Sequence, residues 1–227
     1  MKTIKIGTAT LIHGDCEEFM KDLHHKHFSL ACVDPPYGIN ASNTFSGDIR
    51  KSGNGCAMKS GFKKKDWDKN IPNKTYFDLL IESTENRIIW GANYMTNYLM
   101  PSMGWIVWDK DNGTTKFSDC ELAYTSFDVA LRKFTYTWNG MLQGDMKNKE
   151  SRIHPTQKPV KLYEWIYANY AKPGQTILDT HGGSMSSVIA ALNMGFEITC
   201  IEKDEDYFNA AVERVIKSQQ QQKLGFD

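Results

Sequence analysis

A chain of 227 residues is long enough to bury one sizeable core, and its length does not demand two domains. Its 27 Lys+Arg balance 27 Asp+Glu, so net charge argues neither for nor against a polyanionic partner. Five cysteines, odd in number and without a C-x-x-C pair, exclude a disulfide framework and a zinc site, and no metal is expected. No apolar run reaches membrane-spanning length and no N-terminal signal pattern is present, which predicts a reducing, cytoplasmic setting.

In chain order, residues 4–10 read as a short strand. Residues 15–23 read as a helix, with Cys16, Phe19, Met20 and Leu23 on one face. The apolar run 28–33 is a buried strand that must stop at Asp34-Pro35-Pro36, because two prolines cannot continue a sheet interior. Residues 38–74 lack periodicity and are predicted to form a flexible basic loop. Within 40–74 stand eight Lys/Arg against three Asp, an excess of +5 that leaves the rest of the chain about −5. Residues 74–83 are helical, and 87–90 and 104–108 are strands. Residues 122–133 and 134–138 are β-like and suit a hairpin or a sheet edge, and 139–152 is a polar connection. His24, His25 and His27 cluster without a ligand spacing and read as surface.

The last third is the most legible. A helix over 159–170 precedes the stop Lys172-Pro173-Gly174. A strand at 176–178 ends in Asp179, and Gly182-Gly183-Ser184 opens a helix over 186–194. A strand at 196–201 ends in Glu202, a helix covers 204–217, and the polar tail 219–222 should fray. Strand, glycine loop, helix, strand and acid make half of a doubly wound α/β fold. Glu202 stands twenty residues after Gly182, where an acid can accept hydrogen bonds from ribose hydroxyls. Asp179 at the loop's start disfavours a pyrophosphate, which wants amide donors without an adjacent acid. It suits the sulfonium and ammonium of S-adenosylmethionine.

The second constellation is Asp34-Pro35-Pro36-Tyr37. At about 5% usage per residue type, a given tetrapeptide arises about once in a thousand such chains, so its place at the end of a buried strand carries weight. Amino methylation accounts for the residue types. An exocyclic amine has its lone pair delocalised into the base. Hydrogen bonds to the Asp34 carboxylate and the Pro35 carbonyl favour a more tetrahedral nitrogen. The prolines stiffen the loop, and Tyr37 can stack on an extruded base.

These motifs and their order resemble the beta-class DNA amino-methyltransferases, whose catalytic half precedes the cofactor half. A third match is His154-Pro155-Thr156-Gln157-Lys158-Pro159. Weaker ones are Asp15-Cys16, Trp90-Gly91-Ala92-Asn93-Tyr94 and the segments 105–110 and 117–124. The resemblance spans residues 6 to about 215. It implies one Rossmann-like α/β domain over 1–227 with a mixed seven-stranded sheet in permuted order. It further implies S-adenosylmethionine as cofactor, DNA as partner and N6 of a flipped adenine as target. Asp34, Pro35, Pro36 and Tyr37 are the implied catalytic residues. The implied cofactor contacts are Asp15, Cys16, His154, Thr156, Lys158, Asp179, His181, Gly182, Gly183, Ser184, Glu202 and Lys203.

Two departures stand out. In the family's Asp-Pro-Phe-x-Gly-Ser-Gly-Thr loop, His181 replaces the aromatic and Met185 replaces a glycine, where a larger side chain is expected to crowd the turn. Only residues 126–153 remain for target recognition, which needs a projecting element. The segment 139–152 with the basic loop, where Lys63, Lys64 and Lys65 reach phosphate, a second subunit of a homodimer, or a short recognised site each meet that need. N4 of cytosine is the nearest alternative target, although family members of that kind more often carry Ser at position 34. A cofactor-blind DNA-binding module on the same fold is the other alternative.

Overall fold

The computed structural model describes residues 1–41, 62–113, 118–139 and 142–224, with side chains described as far as residue 221. β1 (Lys2–Ile6) and β2 (Ala9–His13) form an antiparallel hairpin that turns at Gly7, whose φ of +56° is costly for any residue with a Cβ. The single strand read over 4–10 is therefore two. Helix α1 (Cys16–Lys21) is capped by Asp15, whose carboxylate accepts the Glu17 amide at 2.9 Å, and leads to β3 (Phe28–Val33). Beyond the basic segment come α2 (Lys74–Ser83), β4 (Thr84–Trp90), β5 (Trp105–Asp109), β6 (Cys120–Thr125) and β7 (Arg132–Thr135). A two-stranded ladder, β8 (Trp138–Asn139) and β9 (Leu142–Gln143), lies in the presumed polar connection. Helix α3 (Val160–Tyr170), β10 (Thr176–Asp179), α4 (Ser186–Asn193), β11 (Glu197–Glu202) and α5 (Glu205–Leu224) complete the chain.

The main sheet runs β1-β2-β11-β10-β3-β4-β6-β5-β7, and the expected seven strands are corrected to nine. Seven of them, β2 to β5 in that order, form the body. The Gly7 hairpin adds β1 outside β2, and β7 pairs in parallel with the far edge of β5. The β-like stretches 122–133 and 134–138 are not a hairpin with each other, because β6 and β7 lie on opposite sides of β5. The sheet is mixed: β2, β11, β10, β3 and β4 are mutually parallel, and β6 runs against β4 and β5.

Alternation along the central strands sends side chains into two cores. Leu30, Cys32, Ile88, Trp90, Ile177 and Ile198 face α3, α4 and α5. Ala31, Val33, Ile89 and Leu178 face α1 and α2, joined by Phe28 from the first position of β3, which departs from the alternation. Phe208, Ala211, Val212 and Val215 of α5 reach the first core at helical spacing, and Tyr76, Phe77 and Leu80 of α2 reach the second. The helix read as ending at 217 instead continues through the expected frayed tail to Leu224. Trp90 and Trp108 are fully buried and meet edge to face at 6.3 Å, which makes them core side chains. Among the described residues no helix is long and apolar enough to cross a membrane.

Candidate active site

Because β2, β11, β10 and β3 are adjacent and parallel, their carboxyl ends share one edge of the sheet. The residues at those ends are all acids: Asp15 shortly after β2, Glu202, Asp179 and, just beyond β3, Asp34. Antiparallel β6 begins at the same edge and brings Glu121 there, beside Lys110 at the end of β5. A cavity of about 510 Å³ opens along this edge. The predicted residues Asp15, Cys16, Asp34, Pro36, His154, Thr156, Lys158, His181, Gly182, Gly183, Ser184, Glu202 and Lys203 all line it. Pro35, Tyr37 and Asp179 do not.

The glycine loop forms the cavity floor. Met185 precedes α4 with φ +54°, a left-handed conformation unusual for a side-chain-bearing residue. Its side chain is wholly buried in the core and is absent from the cavity wall. Asp179 is turned into the loop, accepting the His181 amide at 3.1 Å and the Ser187 hydroxyl. Burial raises its pKa to about 7. Glu202 accepts the Gly183 and Asp204 amides, each at 2.7 Å, and so holds loop and strand end together. Lys203 is mostly exposed and pairs with Asp15 at 2.8 Å. His154 packs between Trp67 and Tyr207 and meets the Thr156 hydroxyl at 3.1 Å. Burial depresses the two cavity histidines, His154 to about 3 and His181 to about 4, so both are neutral rings at physiological pH.

At the Asp34 end the side chains form a closed network. Tyr37 donates its hydroxyl to Asp34 Oδ1 at 2.7 Å, and Lys158 Nζ donates to Asp34 Oδ2 at 2.6 Å. Lys158 also meets the Tyr37 hydroxyl at 3.0 Å and Glu121 Oε2 at 3.1 Å, and Lys110 closes the chain at 2.6 Å from Glu121 Oε1. Burial raises the Asp34 pKa, with Lys158 opposing it. Burial would also raise Glu121, but Lys158 and Lys110 outweigh it and hold that carboxyl at about 2. The Tyr37 ring lies against Gly91, where any Cβ would collide with it, and stacks on Tyr94 at 5.4 Å. The loop leaving Tyr37 is fixed by buried Asp68, which accepts the amides of Tyr37, Gly38 and Ala41 at 2.7, 3.0 and 2.7 Å.

Sequence reasoning passed over several wall residues. Trp67, Ile71 and Pro72 come from the end of the basic segment, Tyr76 from α2, Tyr163 from α3 and Tyr207 from α5. Within that segment Lys65 meets Asp204 at 2.6 Å and Asp206 at 3.0 Å, and Lys63 meets Asp206 at 3.4 Å. Two of the three expected phosphate contacts are thus paired with acids of this chain. Most of the basic run, residues 42–61, lies outside the described residues. No group of three metal-ligating side chains occurs among the described residues.

Fold and site define an α/β protein of the Rossmann-like class, with an acid-lined small-molecule cavity at the carboxyl edge of its sheet. The DNA methylase family of the N6/N4 type matches residues 128–213, which include the glycine loop and Glu202. The type II methyltransferase M2.MboI of Moraxella bovis is 23% identical over 94% of this chain and 92% of its own length. The fold resembles that of the M1.HpyAVI–SAM complex, with TM-score 0.57 and 18% identity over 91% of this chain and 99% of that one. It equally resembles the cytosine-N4-specific PvuII DNA methyltransferase, with TM-score 0.57 and 12% identity over 92% and 90%. The family likeness thus falls on the C-terminal part of the chain, residues 128–213, and the likeness to type II methyltransferases extends along most of its length.

Proposed function

We propose that this chain is an S-adenosylmethionine-dependent DNA methyltransferase that modifies the exocyclic amine of a flipped base, N6 of adenine. The observation that carries the reading is the shared cavity. Asp34 and Pro36 of the tetrapeptide line the same 510 Å³ space as Gly182, Gly183 and Glu202. The relatives agree with it: M2.MboI is a type II methyltransferase, and M1.HpyAVI was solved with this cofactor.

The donor set fits the cofactor. Asp15, Glu17, Asp34, Glu202 and Asp204 line the cavity against Lys158 and Lys203, an acidic surround suited to a sulfonium and an ammonium and hostile to a pyrophosphate. Gly182 and Gly183 allow close approach of the backbone, Glu202 and Asp15 offer acceptors for ribose hydroxyls, and Thr156 offers a donor for a carboxylate. S-adenosylmethionine, when bound, would supply an electrophilic methyl carbon on a positively charged sulfur that leaves as a neutral thioether. Asp34 accepts a hydrogen bond from the target amine and orients its lone pair. The same carboxylate would stand ready for the proton that the amine loses on methylation. Methyl transfer gains chiefly from in-line positioning, so the rigid proline turn matters more than basicity.

The Asp at position 34 favours adenine. The equal likeness to the PvuII enzyme favours N4 of cytosine as the second reading. Incubation with tritiated methyl donor and DNA from a methylation-deficient host, followed by nucleoside analysis, tests both. N6-methyladenine is expected, and Asp34→Ala should cut the rate by about 10²-fold or more. N4-methylcytosine moves the assignment to the second reading, and absence of methyl on DNA overturns both.

A further inference from the structure

The Asp34 carboxylate is already engaged: Tyr37 holds Oδ1 and the Lys158 ammonium holds Oδ2. An ammonium is a stronger donor than a neutral aromatic amine, so an incoming base competes poorly for that oxygen unless Lys158 has another acceptor within reach. Glu121 is that acceptor. Its Oε2 lies 3.1 Å from Lys158 Nζ and 3.3 Å from the Tyr37 hydroxyl, and Lys158 is only 4% exposed, without water to retreat into. Lys110 binds the other oxygen of Glu121 and keeps it charged, so the row Lys110–Glu121–Lys158–Asp34 alternates in sign.

We propose that Glu121 is a positioning residue of the methyl-transfer site: it takes over the Lys158 ammonium when the target amine docks, freeing Asp34 Oδ2 without expelling a buried charge. The proposal rests on the methyltransferase reading given above. A cation held between two acids can shift toward one of them at small cost, whereas a cation with one acid cannot let go of it. Neutralising Glu121 therefore tightens Lys158 on Asp34 and weakens capture of the base.

The sign at acid pH follows from the charges around Asp34. Lys158 favours its ionised form, Glu121 faces it as a like charge, and Asp179, protonated in acid with its pKa raised to about 7, joins Tyr37, Tyr76, Tyr163 and Cys32 as a neutral neighbour. Removing the Glu121 charge lets Asp34 ionise at lower pH. Glu121→Gln should raise the KM for unmethylated DNA by about 5- to 30-fold, with a smaller change in kcat. It should move the acid limb of kcat/KM down by about half a pH unit or more. Lys110→Gln removes the competing cation from Glu121 and should act in the opposite sense, with no rise in KM and an acid limb at higher pH. A purely structural role for either residue does not reverse sign between the two variants. A readout independent of turnover is a carboxyl-carbon NMR titration of aspartate in the cofactor-free protein. The signal lost in Asp34→Asn should titrate lower in Glu121→Gln and higher in Lys110→Gln. Wild-type methylation with unchanged KM and unchanged titration in Glu121→Gln overturns the proposal and leaves the methyltransferase reading standing. A wild-type protein that transfers no methyl to DNA overturns that reading, while the titration still decides whether Glu121 governs Asp34.

Discussion

His181 shows how one substitution in a loop sets a pH dependence. It stands where the resembled family carries an aromatic, and the structure uses it as one: half-buried, edge-on to Tyr76 at 5.4 Å, with Nδ1 2.9 Å from the Thr180 hydroxyl. Its folded pKa, about 4, lies below the ordinary 6.5 because burial disfavours the charged ring. The unfolded chain therefore binds the proton first, and the stability of the neutral ring is present above about pH 6.5 and lost as pH falls toward 4. His181→Phe should lose less thermal stability than wild type between pH 8 and pH 5, as read by melting temperature at both. Equal losses would show that the ring does not titrate on unfolding. At this scale the acids Asp34, Asp179 and Glu202 were legible because each ends its own apolar run. Glu121 and Asp68 were not, since their partner Tyr37 lies 84 and 31 residues away and no local pattern links them.

At the scale of elements, apolar periodicity located strands and helices, but a period of two does not name a strand's neighbour. Hence β5, β6 and β7 were found while their pairing was not, and the Gly7 turn was missed inside a continuous run. The basic segment was read as a phosphate contact. The structure instead lays its end, residues 62–72, over the cavity. Trp67 packs on His154 at 5.1 Å, and Lys65 joins Asp204 and Asp206 while sitting 4.4 Å over the Tyr207 ring. Lys65 is mostly buried, unlike Lys63, so its pairing resists screening better. A strap so fastened should slow the escape of a bound cofactor. Lys65→Ala should weaken S-adenosylmethionine binding by about 3- to 10-fold in calorimetry, the scale of a partly buried ion pair. Unchanged cofactor affinity together with a raised KM for DNA would return Lys65 to the phosphate role.

Across the whole molecule, one arginine ties together parts far apart in sequence. Arg214 on α5 donates to the Ser184 carbonyl of the glycine loop at 2.7 Å and to Glu150 Oε2 at 2.6 Å. Glu150 Oε1 in turn accepts the Val160 amide at the start of α3, at 2.9 Å, and the backbone of Glu150 exchanges hydrogen bonds with the Gln143 side chain on β9. Cofactor loop, C-terminal helix and the proposed recognition segment are thus fixed to one another through a pair whose side chains are 13% and 18% exposed. Removing one partner strands the other charge in a half-dry site. Arg214→Met should cost about 2–3 kcal/mol, between the values of exposed and fully buried pairs, and lower the melting temperature by about 4–12 °C. Adding Glu150→Gln keeps the acceptor for Val160 and removes the stranded charge, so the double variant should regain most of that loss. A double variant no more stable than Arg214→Met would mean that Arg214 stabilises the protein through the Ser184 carbonyl and packing, with the ion pair contributing little.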